Sequence, residues 1–312
     1  MDMHRLRTNG IELGVAISGE GPAVMLCHGW PELAYSWSNQ IPALNAAGYR
    51  TIAPDLRGFG GSDAPDSGYS VGDISADLIG LLEALDLSSA VFVGHDWGGA
   101  VVWGVTQRYP DQVRGVVSLN TPHYPVAPVP PISIQRRRHG DNHYWVHFQE
   151  PGAAEELFEG DVERFFRTMF RSPASADAAR AFVESGKPVD LRSAFERGPG
   201  SGDVVMSEKD LDVYIETYKR TGFRGGLNYY RSMDMNWEQS RDLDPIIRHP
   251  ALMISAELDV MLPPSHTEWM QSIMPDLEFH VLEGVGHWAQ WEAPEDVNRL
   301  LVGWLERRFP PA

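Results

Sequence analysis

The chain has 312 residues, a formal net charge of −17, 43% hydrophobic and 22% charged residues, and one cysteine, Cys27. That length and balance suit a globular protein with one large α/β domain carrying an insertion, or two small domains. The acidity argues against nucleic acid and anionic membranes as partners, and a lone thiol leaves no intrachain disulfide.

The start, Met-Asp-Met-His-Arg, lacks an apolar leader core, and no apolar run reaches membrane-spanning length. A soluble, cytoplasmic protein is the expectation, as a monomer or homodimer. Residues His4 to Ser18 read as two strands around a turn at Asn9-Gly10. After the break Gly19-Glu20-Gly21-Pro22, the run Ala23 to Cys27 is a strand buried on both faces. It ends in His28-Gly29-Trp30-Pro31-Glu32, followed by a helix to about Ala47 and a strand from Tyr49 to Ala53. The glycines of Asp55-Leu56-Arg57-Gly58-Phe59-Gly60-Gly61-Ser62 do not make a phosphate loop, because no Gly-Lys-Ser/Thr follows and no helix opens on the last glycine.

Ser70 to Leu87 carries Ile74, Leu78, Leu81, Leu82 and Leu85 at helical spacing. The strand Ala90 to Val93 then runs into Gly94-His95-Asp96-Trp97-Gly98-Gly99, with a helix from Ala100 to Tyr109 and a strand from Val113 to Leu119. Alternating strands and helices build a mostly parallel sheet flanked by helices. Beyond Asn120-Thr121-Pro122 the rhythm changes. Pro125 to Pro131 holds four prolines, the basic run Arg136-Arg137-Arg138 reads as a solvated loop, and Glu155 to Tyr230 is mainly helical. Strand patterning resumes at Ala251 to Ala256. A helix over His266 to Ile273, a strand over Leu277 to Leu282 and a terminal helix over Pro294 to Arg307 complete the chain. The expected division is a core of residues 1–122 and 241–312, interrupted by a helical cap with its connecting loop over 123–240.

Gly94-His95-Asp96-Trp97-Gly98 has the strand–turn–helix context of a nucleophile elbow, where esterases carry serine. A carboxylate at that point needs no base to become a nucleophile and suits displacement at saturated carbon, leaving an alkyl ester. Hydrolysing that ester calls for a base, and His287 in Gly286-His287-Trp288 follows the last strand. Asp259, past the strand Ala251 to Ala256, is positioned to orient the imidazole. Glu257 is the competing acid, with Asp259 preferred, and Asn120 after the preceding strand is not acidic.

These motifs resemble those of α/β-hydrolase-fold epoxide hydrolases, in particular the hydrolase domain of soluble epoxide hydrolases. The likeness is carried by His28-Gly29-Trp30-Pro31-Glu32, Asp55-Leu56-Arg57-Gly58, Gly94 to Gly99 and Gly286-His287-Trp288. Within the insertion, Phe148-Gln149-Glu150-Pro151-Gly152, Gly222-Phe223-Arg224-Gly225 and Leu227 to Arg231 extend it. The resemblance implies that Tyr144 and Tyr230 reach from the cap to donate to the epoxide oxygen, with Tyr229 the competitor of Tyr230. It implies an oxyanion hole from the backbone N–H groups of Trp30 and Trp97, a cis Trp30–Pro31 bond, and a bracing role for His28. No cofactor or metal is implied; the partner is a small, apolar epoxide. Phe148 and Trp288 are expected in its pocket, and Trp145, Met169, Met233 and Trp237 either line that cavity or fill the cap core.

His139, His143 and His147 recur at a spacing that would align metal ligands on one helix face, but Gly140 weakens a helix there. Two rival functions remain: a haloalkane dehalogenase, which would share Asp96, Trp97, Asp259 and His287, and a non-catalytic receptor using the same pocket.

Overall fold

A computed structural model describes residues 2–311. Its centre is an eight-stranded sheet of β1 (Met3–Thr8), β2 (Ile11–Ser18), β3 (Ala23–Cys27), β4 (Arg50–Pro54), β5 (Ala90–His95), β6 (Val113–Leu119), β7 (Ala251–Ala256) and β8 (Leu277–Leu282). The strand order is β1-β2-β4-β3-β5-β6-β7-β8. The first two form an antiparallel hairpin, with Asn9 and Gly10 both at positive φ in the turn, and β2 runs antiparallel to β4. From β4 to β8 the pairing is parallel. β3, β5 and β7 are buried along their whole length, which is why they read as unbroken apolar runs.

Helices cover both faces. On one, Val71–Ala84 buries Ile74, Leu78, Leu81 and Leu82 and is opened by a reciprocal Ser70–Asp73 cap. On the other, Pro294–Arg308 buries Val297, Leu301, Trp304 and Leu305. The parallel crossovers bring the carboxyl ends of β3, β5, β6, β7 and β8 to one edge, where open α/β sheets hold their ligands. Between β6 and β7 a run of helices from Pro131–His139 to Met233–Ser240 is inserted above that edge.

Two local expectations are corrected. Arg136, Arg137 and Arg138 are exposed but helical, closing the helix Pro131–His139, where cations meet the negative end of the helix dipole. The segment His266 to Ile273 is not one helix. A 3-10 turn over Pro264–Thr267, closed by Thr267 Oγ1 donating to the Pro264 carbonyl at 2.6 Å, precedes a single turn over Met270–Ile273.

Candidate active site

Asp96 sits at the tip of the turn from β5 into the helix Trp97–Arg108, at φ 50° and ψ −119°. Such a conformation is sparsely populated for a residue with a Cβ, so its surroundings must enforce it. Gly94 and Gly98 permit the reversal: a Cβ on Gly98 would strike the Cys27 carbonyl, and one on Gly94 would strike the backbone of Gly98. Thr121 Oγ1, just past β6, donates to the Asp96 carbonyl at 2.7 Å and braces the turn.

The Asp96 carboxylate accepts the Trp30 N–H at 2.8 Å, and the Trp97 N–H also faces it. The Trp30–Pro31 peptide is cis, and His28 braces this loop by accepting the Leu56 N–H at 3.0 Å. Opposite Asp96 stands His287, from the loop after β8, with Nε2 3.9 Å from Asp96 Oδ2. Its Nδ1 lies 2.8 Å from Asp259 Oδ2, from the loop after β7. Asp259 is fully buried and also accepts N–H bonds from Met261 and Leu262 at 2.8 and 3.0 Å. Glu257 turns away to pair with Arg180 at 2.6 Å.

Burial pushes the Asp96 carboxyl up from the usual carboxylate range, against the opposing pull of His287, His95 and the two backbone N–H groups. Burial alone would depress His287, but Asp259, Asp96 and Glu32 outweigh it and raise the imidazole to about 9. Burial would likewise raise Asp259, yet His287, Asn120 and the Leu262 N–H hold it at about 2. His287 therefore stands between two carboxyl groups that favour its protonated form.

Several neighbours escaped the sequence reading. Asn120, considered only as a vacant place for an acid, donates from Nδ2 to Asp259 Oδ2 at 2.6 Å and to the His287 carbonyl at 3.2 Å. His95 donates from Nε2 to that same carbonyl at 2.8 Å. Behind it, His95 Nδ1 lies 2.8 Å from Glu32 Oε2, which also accepts the Gly29 N–H, while Gln290 donates to Oε1 at 2.5 Å. Polar side chains within the apolar motifs around Glu32 and His95 were the available signal: buried without partners they would be costly.

Tyr144, opening the helix Tyr144–His147, and Tyr230, in the helix Arg224–Arg231, stand with ring centroids 5.6 Å apart. Both line a cavity of about 270 Å³ together with Asp96, Trp145 and Met233. Tyr230 packs edge-on against Trp97 and Trp30 at 5.1 and 5.5 Å. Tyr229 points elsewhere, its hydroxyl donating to the Arg57 carbonyl at 3.0 Å. Burial, and then the Asp96 charge, push the Tyr144 hydroxyl far above the ordinary phenol range; Tyr230 is raised by burial, Tyr144 and Asp96. Both phenols thus stay protonated donors at neutral pH.

A second cavity, of about 340 Å³, meets the first at Asp96 and Tyr230 and is lined by Met169, His287 and Trp288. Phe148, expected in the pocket, lines neither cavity. It is fully buried behind the tyrosines, 5.1 Å from the Tyr230 ring and 5.3 Å from Trp30, where it fills an apolar contact between the inserted helices and the loop after β3. Trp237 lines neither as well and donates to the Ala127 carbonyl at 2.7 Å. Gly140 at φ 64° ends the helix after His139, so the three spaced histidines do not share one helix; His143 instead caps the next, accepting the Trp145 N–H. Among the described residues no cluster of three or more His, Cys, Asp or Glu side chains is arranged to hold a metal, and no helix is long and apolar enough to cross a membrane.

Residues 22–294 match the family described as alpha/beta hydrolase fold. The chain is 41% identical over 308 residues to epoxide hydrolase A of Mycobacterium tuberculosis, covering 96% of this chain and 95% of that protein. It is 39% identical over 303 residues to bifunctional epoxide hydrolase 2 of Sus scrofa, covering 95% of this chain but 54% of the relative, so it spans about half that protein's length. The crystal structure of epoxide hydrolase A from Mycobacterium thermoresistibile superposes with a TM-score of 0.88 at 38% identity, covering 98% of each chain. With this coverage joined to the geometry above, the chain belongs to the alpha/beta hydrolase fold family and, within it, to the epoxide hydrolases.

Proposed function

We propose that this protein converts an apolar epoxide and water to a vicinal diol through an ester on Asp96, and that residues 123–240 act as the cap that closes over the substrate. The observation that carries the reading is the placement of Tyr144 and Tyr230 on the same cavity as Asp96. An opening epoxide leaves a strongly basic alkoxide tethered to the product, and a buried phenol supplies the proton that it needs. A departing halide needs hydrogen-bond donors but no proton, so paired tyrosines are superfluous to a dehalogenase, and a receptor has no need of the triad.

In the first step an Asp96 oxygen attacks an epoxide carbon, the C–O bond breaks, and a tyrosine proton passes to the freed oxygen. Esterification removes the Asp96 charge, one of the influences that hold the proton on His287, so the imidazole becomes easier to deprotonate. Its proton restores the tyrosine. Neutral His287, oriented by Asp259, then takes a proton from water as the water oxygen adds to the ester carbonyl. The Trp30 and Trp97 N–H groups, already directed at the carboxylate, receive the developing oxyanion. Collapse releases the diol and returns Asp96 to its carboxylate and His287 to its imidazolium, so the proton balance closes.

The test uses His287→Gln, which leaves the first attack intact and stalls the second. Offered matched epoxides and haloalkanes, the variant is expected to gain the whole mass of the epoxide on the peptide containing Asp96, and nothing from the haloalkanes. Adducts from haloalkanes alone, each missing the halide, would assign a dehalogenase. No adduct across a broad panel would assign a receptor.

A further inference from the structure

Gln149 follows the helix that opens with Tyr144 and takes no part in the chemistry above. Its Nε2 donates to the Trp145 carbonyl at 2.8 Å and to the Tyr230 carbonyl at 3.0 Å. Both partners are acceptors, so the nitrogen, with its two hydrogens, is the end of the amide that faces them. One carbonyl belongs to the residue beside Tyr144 and the other to Tyr230 itself. Each lies in the last turn of a short helix, Tyr144–His147 or Arg224–Arg231, where a carbonyl has no intrahelical partner. A single amide therefore satisfies one open carbonyl on each helix and ties the two helices together.

Arg231, the neighbour of Tyr230, answers in the opposite direction. Its Nε donates to the Phe148 carbonyl at 3.0 Å, while its terminal nitrogens hold Glu155 at 2.7 and 2.9 Å. Phe148 packs against both phenol rings, with centroids 5.6 Å from Tyr144 and 5.1 Å from Tyr230. Ring packing alone leaves room to slide, since centroid separations from about 4.5 to 7 Å are all favourable. Two hydrogen bonds from one amide fix direction as well as distance.

We propose that Gln149 is a positioning residue for ring opening: by tying the Trp145 and Tyr230 carbonyls to one amide, it sets the spacing at which the two phenols meet a single epoxide oxygen. The inference rests on the reading of Tyr144 and Tyr230 as donors to that oxygen. Two donors aimed at one atom need a fixed separation, and these rings stand 5.6 Å apart. A displacement of about 1 Å in such an arrangement can cost about 10²-fold in rate. Asp96, His287 and Asp259 are held by separate contacts in the core, so hydrolysis of the ester is spared.

The experiment sets Gln149→Met, which keeps a long unbranched side chain and removes both N–H groups, beside the wild type. Rapid-quench measurement is expected to show formation of the Asp96 ester slowed about tenfold or more, with the ester hydrolysed at the wild-type rate. In a Tyr144→Phe/Tyr230→Phe background the same substitution should cost nothing further, because no phenol is left to misplace. Gln149→Glu adds a pH signature. Its ionised carboxylate donates to neither carbonyl and its protonated form donates to one, so its rate relative to the wild type should rise as pH falls. Wild-type speed of ester formation in Gln149→Met, equal slowing of both steps, or an undiminished effect in the background lacking both hydroxyls overturns the proposal. Should Gln149→Met not fold, the Gln149→Glu ratio decides, and a flat one overturns it. If the wild type forms no ester with any epoxide, the epoxide reading fails, and crystal structures of the wild type and the Gln149 variants decide: a changed separation of the two phenol rings supports the tie, and an unchanged one overturns it.

Discussion

His95, the residue before Asp96, donates from Nε2 to the backbone carbonyl of His287 at 2.8 Å. His287 therefore faces the turn at Asp96 through its ring and is tied to the same turn through its main chain. Asn120, from the neighbouring strand end, holds that carbonyl too, at 3.2 Å. Loops after three different strands are thus locked into one spacing, which is what a 3.9 Å gap between Asp96 and His287 requires.

The first prediction concerns the origin of the new oxygen. A single turnover in heavy-oxygen water with excess unlabelled enzyme should give an unlabelled diol, because the added oxygen comes from Asp96. Label should appear in the Asp96 carboxylate instead, detectable by peptide mass. A labelled first diol would show direct attack by water.

The second concerns the two phenols. Tyr144→Phe and Tyr230→Phe should each slow formation of the Asp96 ester, with the remaining hydroxyl still donating. The double variant should lose about 10²-fold or more in that step. Rapid-quench measurement of the ester separates this from its hydrolysis, and wild-type rates in a folded double variant would reduce both tyrosines to packing residues.

The third follows from the raised pKa of His287, to about 9 in the folded chain. Below the ordinary histidine value both folded and unfolded chains carry the proton, and the stabilisation from Asp259 and Asp96 is fully present. As pH climbs towards 9 only the folded chain retains it, so stability falls with rising pH across that window. The loss is on the order of 3 kcal/mol. Denaturant unfolding at pH values on either side should show it in the wild type and not in His287→Gln. A flat profile in the wild type would contradict the imidazolium assignment.

The fourth addresses the buried network behind the base. Glu32→Leu deprives the Gly29 N–H, His95 and Gln290 of their shared acceptor. Stranding buried polar groups should destabilise the fold by about 3 kcal/mol or more, read as a lower denaturation midpoint. His95→Phe should retain formation of the Asp96 ester but slow its hydrolysis, since the His287 backbone loses one of its two side-chain donors. Equal slowing of both steps would mean that His95 serves the elbow alone.

The local chemistry of the chain was legible because it depends on short-range constraints. A strand buried on both faces must be an apolar run, and β3, β5 and β7 are such runs. A strained strand-to-helix turn admits only small residues beside it, and Gly94 and Gly98 marked the place of Asp96. Asn9-Gly10 announced its hairpin by the same logic, since its turn holds both residues at positive φ. The cap tyrosines were named through family resemblance, and periodicity alone would not have separated Tyr230 from Tyr229.

Tertiary structure decided which side chains meet across sequence. Asn120 and Asp259 lie 2.6 Å apart although 139 residues separate them, and no local pattern encodes that pair. It placed Phe148 behind the tyrosines rather than in the cavity, because the inserted helices meet the loop after β3 through aromatic contacts whose direction depends on helix packing. It paired Arg57 with Asp77 and Arg231 with Glu155. Charge, burial and partner are set by the assembled fold, because the acid that meets a guanidinium arrives on another element of the chain.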